Sequence, residues 1–478
     1  MICLSLTRET LAENLKEIER YKKYLQLCEL RGDCLTEWDT EALRDFPRQA
    51  GVPLILTLRR ASDGGHWRTS EEERCSRFME ILSSGYAWVD LEHASATDSV
   101  ARAARKKGIR IIRSFHDTLG VPEDLAERFR DLPERKEEIP RIVTTPRSVA
   151  DLRVILRTLR ETSGPGIIQA MGEWGVPARI LSGLYGLYFT LVSPENSPDD
   201  PVPLSPESLE KLYRYSTLSS STSIFGIIGN PVLHSRSPLI HNSGYAKQSL
   251  DAVYLPFKVD DVGEFFSLAE ELSIQGFSVT IPHKSEVIPR LVQPSDEVAA
   301  IGACNTVVRS SSGFKGYNTD VRGFMLPLKK LCVAGFPKRA VVIGAGGAAR
   351  AVVYGLKEAG TEILIVNRTE SKALDLAREF ICRGAALSPG IYSEMAEYAE
   401  LVVQTSAAGM HPLEEIDPVS GYPWTGKEIA YDLIYIPEKT RFLSAAEDAG
   451  CRILNGAPML QAQGEAQYKL FTGTEYPR

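Results

Sequence analysis

The stretch 341–350, VVIGAGGAAR, enters as a β-branched run, turns through glycines and leaves as a helical pattern, and an apolar run at 362–366 then leads into Asn367-Arg368-Thr369. The order is strand, glycine turn, helix, strand, with Gly344, Gly346 and Ala349 at G-x-G-x-x-A spacing. The first glycine permits the tight turn, the second lets a pyrophosphate approach the backbone, and the third small residue lets helix pack on strand. The phosphates would rest on free N–H groups at the start of the helix, around Gly347 and Ala348, where the dipole favours an anion. An NAD site usually carries a carboxylate at the end of the second strand to hold the ribose hydroxyls. Here Asn367, Arg368 and Thr369 stand there instead. A cation flanked by two hydrogen-bonding side chains suits a ribose 2′-phosphate, so the stretch reads as an NADP(H) site.

A second polar set follows the apolar run at 224–228. Ser235 and Ser237 lie two apart, so an extended loop aims both hydroxyls the same way, a geometry suited to a carboxylate. A strand at 276–282 delivers Thr280 and then Lys284 into a turn, and GACNTVV and GYNTDVRGF add Asn305, Asn318, Thr319 and Asp320. A lysine and an aspartate beside a carbonyl-to-alcohol reaction form a proton-handling pair. The aspartate orients the ammonium, and the lysine gives a proton to the oxygen as hydride arrives.

Upstream lie the elements of another site. Apolar runs at 2–6, 24–31, 53–59, 87–92, 109–115, 139–144, 166–171 and 187–192 alternate with amphipathic stretches such as 11–21, 71–82, 99–107 and 148–160. Eight β-then-α units point to a (β/α)8 barrel, in which chemistry collects at the C-terminal ends of the strands. Those ends carry Glu29, Arg31, Arg59, Asp90, Glu92, His116, Asp117 and Arg141, a set that suits an anionic substrate. Pro- and Ser-rich segments near 192–208 and 218–223 flank a helical pattern at 206–215 and put a domain boundary near 220.

Composition narrows the class. The 478 residues are 43% hydrophobic and 24% charged with a net charge of −7, ordinary for a soluble globular protein and opposed to a nucleic-acid-binding surface. The basic cluster Arg105-Lys106-Lys107 closes a helical pattern, where cations suit the dipole. The 8 cysteines show no C-x-x-C or Cys/His spacing for a metal, and read as reduced thiols of a cytosolic protein. Neither a signal peptide nor a membrane span is expected, so the location reads as cytoplasmic. The sequence carries no signature of an oligomeric state.

In order and spacing, CELR, LTLRRASDGG, WVDLE and IRSFHD resemble type I 3-dehydroquinate dehydratase over residues 1–215. The resemblance implies that Glu29, Arg31, Arg59 and Arg179 hold the hydroxyls and carboxylate of 3-dehydroquinate and that His116 is the general acid/base, a role suited to imidazole. The family's central residue is a lysine on the sixth strand that forms a Schiff base with the substrate ketone. In EEIPRIVTT, Arg141 occupies that place. Guanidinium keeps its proton and is a very poor imine-forming nucleophile. Asp63 replaces the family's usual glutamate, the lid segment NSPDDPVP lacks its Ala-Pro-Gly-Gln, and the nearest lysine, Lys136, precedes the strand. A route with His116 as base and Arg141 polarising the ketone is what these residues leave.

Residues 222–478 resemble shikimate dehydrogenase. The resemblance implies that Ser235, Ser237, Thr280, Asn305, Asp320 and Gln463 bind shikimate and that Lys284 and Asp320 are the catalytic pair. It implies that GAGGAAR is the dinucleotide turn, with Asn367, Arg368, Thr369 and Lys372 as the 2′-phosphate clamp. QTSAAGMHP (Thr405, Ser406) and YDLIY (Tyr435) line the nicotinamide and substrate cleft, and NGAPMLQAQ is the helix returning to the substrate domain with Met459 and Gln463. The implied α/β architecture is a barrel at 1–220, a shikimate-binding domain at 221–335, a Rossmann NADP domain at 336–440 and a returning helical segment at 441–478. The cleft between the last two domains closes on cofactor in such folds.

The two resemblances are consecutive steps of the shikimate pathway, which leads to chorismate and the aromatic amino acids. A lyase forms 3-dehydroshikimate from 3-dehydroquinate, and an oxidoreductase reduces it to shikimate. Joining them fixes their ratio and raises the local concentration of the intermediate. Two other readings stand beside this one: a shikimate dehydrogenase carrying a barrel impaired in catalysis that only binds or scaffolds, and a dehydrogenase acting on quinate.

Overall fold

Parallel strands covered on both faces are apolar nearly throughout, and charged side chains enter such a sheet only where they meet one another. The first strands of the chain show both conditions in a computed structural model that describes residues 1–478 except 94, 163, 196–201, 203 and 334. These strands are β1 (Ile2–Leu6), β2 (Leu27–Arg31), β3 (Leu54–Thr57), β4 (Trp88–Glu92), β5 (Arg110–Asp117), β6 (Ile139–Thr144), β7 (Ile167–Ala170) and β8 (Thr190–Val192). They form one sheet in the order β7–β6–β5–β4–β3–β2–β1–β8, parallel at every pairing from β1–β8 to β6–β7. A helix follows each strand from β1 to β7. Several start on side-chain caps, with Thr10, Asp39, Ser70 and Ser148 accepting from the first backbone N–H groups. The result is a nearly closed (β/α)8 barrel.

Alternate residues of a strand share a face, and here that face changes character along its length. Cys3, Leu27, Ile55, Trp88, Ile112, Ile139 and Ile167 pack with Phe189 and Leu191 as an apolar cluster. Two residues further along the same strands stand Ser5, Glu29, Thr57, Asp90, Ser114, Arg141 and Gln169, all buried. An apolar floor thus carries a polar layer on the C-terminal side.

The observed elements are shorter than the apolar runs at several ends. β2 starts at Leu27 because Lys22–Tyr24 form a 3-10 turn, and β3 stops at Thr57 ahead of the turn Ala61–Asp63. β5 runs on to Asp117 and so holds His116 within the strand. The helical pattern at 206–215 ends at Lys211. The lid segment 196–203 lies outside the described residues, Val202 apart.

The chain divides into two compact units, 1–224 with 251–273, and 225–250 with 274–478. The first also contains β10 (Ala252–Lys258) and the helix Val262–Glu271, and there Arg153 on the helix Val149–Glu161 meets Glu264 at 3.0 Å and Glu271 at 2.6 Å. In the second unit, β9 (Ser223–Gly229), β11 (Gly276–Val279), β12 (Gln293–Pro294), β13 (Thr306–Ser310) and β14 (Gly313–Tyr317) lie in the spatial order β9–β11–β13–β14–β12.

A second, all-parallel sheet in that unit holds β15 (Arg339–Ile343), β16 (Glu362–Asn367), β17 (Arg383–Ala386), β18 (Leu401–Gln404), β19 (Ile429–Asp432) and β20 (Arg452–Leu454), ordered β17–β16–β15–β18–β19–β20. That order reverses at β15–β18, the point where a dinucleotide crevice opens in this architecture. One face packs Val342, Ile365 and Val403 on Val352 and Leu356, and the other packs Val341, Leu364 and Val402 on Phe442 and Leu443.

Beside the barrel interior, Arg74 is fully buried and donates to Glu92 at 2.7 Å, Glu71 at 2.8 Å and the Leu58 carbonyl at 2.8 Å. Removing one member of a buried ion pair strands the other. Arg74→Met is therefore expected to destabilise the barrel by about 3–5 kcal/mol, read from a lowered urea midpoint.

Candidate active sites

In the polar layer of the barrel, side chains of opposite charge meet across the interior as well as between adjacent strands. Arg141 on β6 donates to Glu29 on β2 at 2.6 and 3.2 Å and to Asp90 on β4 at 2.8 Å. Arg59, just past β3, lies 3.1 Å from Asp90 and donates to the Ser114 hydroxyl at 2.9 Å. Ser114 passes a hydrogen bond to Asp90 at 2.5 Å, and Thr57 one to Glu29 at 2.7 Å. Burial would raise the Glu29 carboxyl, but Arg141, Arg59 and Arg31 together pull it well below the usual carboxylate range.

His116 has the opposite surroundings. Burial first, and then the charges of Arg59, Arg141, Arg31 and Arg60, hold its imidazole well below its ordinary value, so it is neutral near pH 7. Its Nε2 is shielded and meets no hydrogen-bond partner among the described residues.

The other expected barrel residues have their own contacts. Arg31 makes a bidentate pair with Asp33 at 2.9 and 2.7 Å. Arg179, fully buried on the helix Gly172–Leu181, donates to the Val202 carbonyl at 2.9 Å. Asp63 pairs with Arg60 at 2.7 Å, and Lys136 is exposed.

The second unit contains a cavity of about 480 Å³, lined by Ser235, Ser237, Thr280, Lys284, Asn305, Asp320, Tyr435 and Gln463, residues drawn from loops beside both of its sheets and from helices that include Ala457–Thr472. Ala348, Thr405 and Ser406 line it too, on the nucleotide side. Lys284 Nζ donates to Asp320 Oδ2 at 2.5 Å, while Asn305 Nδ2 donates to Oδ1 at 2.8 Å. Asp320 opens the helix Asp320–Leu331, where the dipole favours its negative charge. Asn305 is itself fixed, its Oδ1 accepting from Thr319 N and Thr306 Oγ1, each at 2.8 Å. Gly323 lets the last long helix come close: a Cβ there would stand 2.8 Å from Gln463 Cβ.

The glycine turn borders the same cavity. Gly344 has φ +114°, and a Cβ on it would meet the Thr405 hydroxyl at 2.4 Å, so the turn admits glycine alone. A Cβ on Gly347 would stand 3.0 Å from the Lys284 side chain, whereas one on Gly346 would meet nothing within 4 Å. The space over the N-terminus of the helix Gly347–Glu358 is open, as a pyrophosphate requires. Asn367 ends β16, and Arg368, Thr369 and Lys372 follow it, exposed. These residues fit NADP(H).

The comparisons with known proteins fall on three stretches of the chain, the second of which includes the segment 251–273 that packs in the first compact unit. Residues 2–220 match the model of type I 3-dehydroquinase, 227–307 that of the shikimate dehydrogenase substrate binding domain, and 332–416 that of shikimate/quinate 5-dehydrogenase. A bifunctional 3-dehydroquinate dehydratase/shikimate dehydrogenase, chloroplastic, of Arabidopsis thaliana is 30% identical over 100% of this chain and 83% of its own length.

The chain belongs to the bifunctional dehydroquinate dehydratase/shikimate dehydrogenase family.

Its second half is also 40% identical to a shikimate dehydrogenase (NADP(+)) of Moorella thermoacetica, over 54% of this chain and 91% of that one. A crystal structure of a shikimate dehydrogenase with NADP+ superposes with a TM-score of 0.50 at 32% identity, covering 54% of this chain and 92% of the other.

Sequence reasoning on this bifunctional chain passed over several residues. Asp90 appears among the charged strand ends but was not assigned to the site, although it bridges Arg141 and Arg59. Ser114 and Thr57 gave no signal beyond being polar two residues after an apolar one in a barrel strand. Asp432, at the end of β19, holds the turn that presents Tyr435: its carboxylate accepts from Ile434 N at 3.0 Å and Thr440 Oγ1 at 2.6 Å. Burial pushes that carboxyl up to about 7, against those two hydrogen bonds.

Three outcomes are expected. Lys284→Met and Asp320→Asn should each lower kcat for reduction by about 10²–10⁴-fold, with NADPH binding retained in fluorescence titration. Replacing Arg368 and Lys372 by alanine should raise KM for NADPH by about 10–100-fold, the loss of a charged hydrogen bond, and should leave KM for NADH unchanged. The folded value of Asp432 lies above the roughly 3.9 of an unfolded aspartate. Its protonation therefore favours the fold below about pH 4, and that stability is lost as the pH rises through about 7. Urea midpoints should fall from about pH 5 to about pH 8 in the wild type, a component of at most about 4 kcal/mol that Asp432→Asn removes.

Proposed function

We propose that the barrel removes water from 3-dehydroquinate and that the second unit reduces the resulting 3-dehydroshikimate to shikimate with NADPH. The full-length match to a bifunctional relative carries this reading, and the cavity joining Lys284 and Asp320 to a glycine turn supports its second half.

We assign 1–220 to dehydration, 221–335 to shikimate binding, 336–440 to NADP and 441–478 to the segment that returns to the substrate. In the reductase, Ser235 and Ser237 hold the substrate carboxylate, while Thr280, Asn305, Tyr435 and Gln463 orient the ring and its hydroxyls. NADPH supplies a hydride to the carbonyl carbon. Lys284 gives the proton to the carbonyl oxygen, and Asp320, anchored by Asn305, keeps the ammonium aimed at that oxygen as negative charge develops. In the barrel, Arg31, Arg59 and Arg179 take the anionic and hydroxyl groups of dehydroquinate, and Glu29 and His116 face the ring.

No helix among the described residues is long and apolar enough to cross a membrane. The Arabidopsis relative is chloroplastic by its name; for this chain we propose the cytoplasm, on its overall composition and its scattered cysteines.

The test is NADPH oxidation by the purified chain, given 3-dehydroquinate in one cuvette and 3-dehydroshikimate in another. Oxidation is expected with both. Oxidation with dehydroshikimate alone would remove the dehydratase from the proposal, and preference for quinate with NAD+ in the reverse direction would replace its reductase substrate.

A further inference from the structure

At the barrel's centre stands a cation that cannot act as a nucleophile. Arg141 is 4% exposed, and its two terminal nitrogens are held by Glu29 and Asp90. A guanidinium fixed between two carboxylates keeps its proton and has no lone pair to offer a ketone. Burial by itself would lower its pKa, but Glu29 and Asp90 outweigh that cost and raise it above the ordinary value. Of its nitrogens, Nε is buried and has no hydrogen-bond partner among the described residues.

That donor has a neighbour. Arg141 pairs in register with Ser114 on the adjacent strand, and His116 lies two residues beyond Ser114, so imidazole and guanidinium rise from one face with His116 nearer the C-terminal rim. His116 Nε2 is the second buried atom here without a partner. One unpaired N–H donor and one unpaired base on neighbouring strands match the two ends of an α-proton abstraction. The donor meets the ketone oxygen, and the base meets the hydrogen on the next carbon.

We infer that the barrel eliminates water through an enolate held by Arg141, with His116 as the base and no covalent adduct. The inference rests on the reading of the barrel as a dehydratase. His116 takes the proton from the carbon beside the ketone, and the C–H electron pair moves in to make the enolate, whose oxygen accepts from Arg141 Nε. The pair then returns to form the carbon–carbon double bond as the hydroxyl on the far carbon departs. That hydroxyl receives the proton from His116 and leaves as water, and the imidazole is restored. No electron is gained or lost overall. Arg59, Arg31 and Arg60, whose charges reach His116, supply the positive field an oxyanion needs.

The experiment is turnover of 3-dehydroquinate by the full chain with and without sodium borohydride, followed by intact mass. Reduction of 3-dehydroshikimate by the same samples reports that the second unit is folded, and the urea midpoint of each variant reports that the barrel is. Turnover is expected to survive borohydride with no gain in mass, to fall at least about 100-fold in Arg141→Met and to be lost in His116→Asn. A reduced adduct on any lysine, with turnover present, overturns the adduct-free route and leaves the dehydratase standing. Arg141→Met working at the wild-type rate also overturns it. A wild type that reduces dehydroshikimate but never consumes dehydroquinate overturns the route and the dehydratase together.

Discussion

Three carboxylates, Glu29, Asp90 and Glu92, stand buried inside the barrel, and each is met by a guanidinium: Arg141 for the first two, Arg59 for Asp90 and Arg74 for Glu92. An ion withdrawn from water costs several kcal/mol unless a partner is fixed beside it, so these pairs decide which side chains the strands must carry. The apolar floor formed by Leu27, Ile55, Ile112 and Ile139 sets the strands at the spacing the pairs need. The same constraint recurs at Asp320, whose two oxygens are taken by Lys284 and Asn305. In both places a charge tolerated only because of its neighbours becomes a group with a fixed direction, which is what proton transfer requires.

The two sites differ in how far their parts are scattered. The barrel's polar layer comes from successive strands of one sheet, and the register of that sheet alone places it. The reductase cavity takes walls from a mixed sheet, a parallel sheet and a late helix, and depends on close approaches at Gly323, Gly344 and Gly347. A methyl group at Gly323 or Gly344 would push one wall off another, and one at Gly347 would press on the Lys284 side chain.

Much of this was legible in the sequence because it is periodic or local. The eight barrel strands and the βαβ turn follow from apolar runs and glycine spacing, and the pair Lys284–Asp320 follows from residue types near those runs. What was not legible is pairing across the fold. Nothing in residues 88–92 says that Asp90 will bridge Arg141 and Arg59, because that contact depends on strand register over many residues. Nor does YDLIY announce that Asp432 will be raised by burial, since its chemistry comes from Thr440 and from the packing of a whole sheet. Strand ends were overrun for a related reason: an aromatic or apolar side chain does not by itself fix an extended backbone, as at Tyr24, which ends a 3-10 turn ahead of β2.

The reductase cavity draws its walls from Ile227 at one end of its span to Gln467 at the other, whereas the barrel closes its sheet by Val192. Chains fold as they emerge from the ribosome, the earlier domain first. The barrel's interior can therefore assemble while the nucleotide domain is still being translated, but the reductase waits for the helix that bears Gln463. The order in which the two activities mature during synthesis is then the order in which their reactions run.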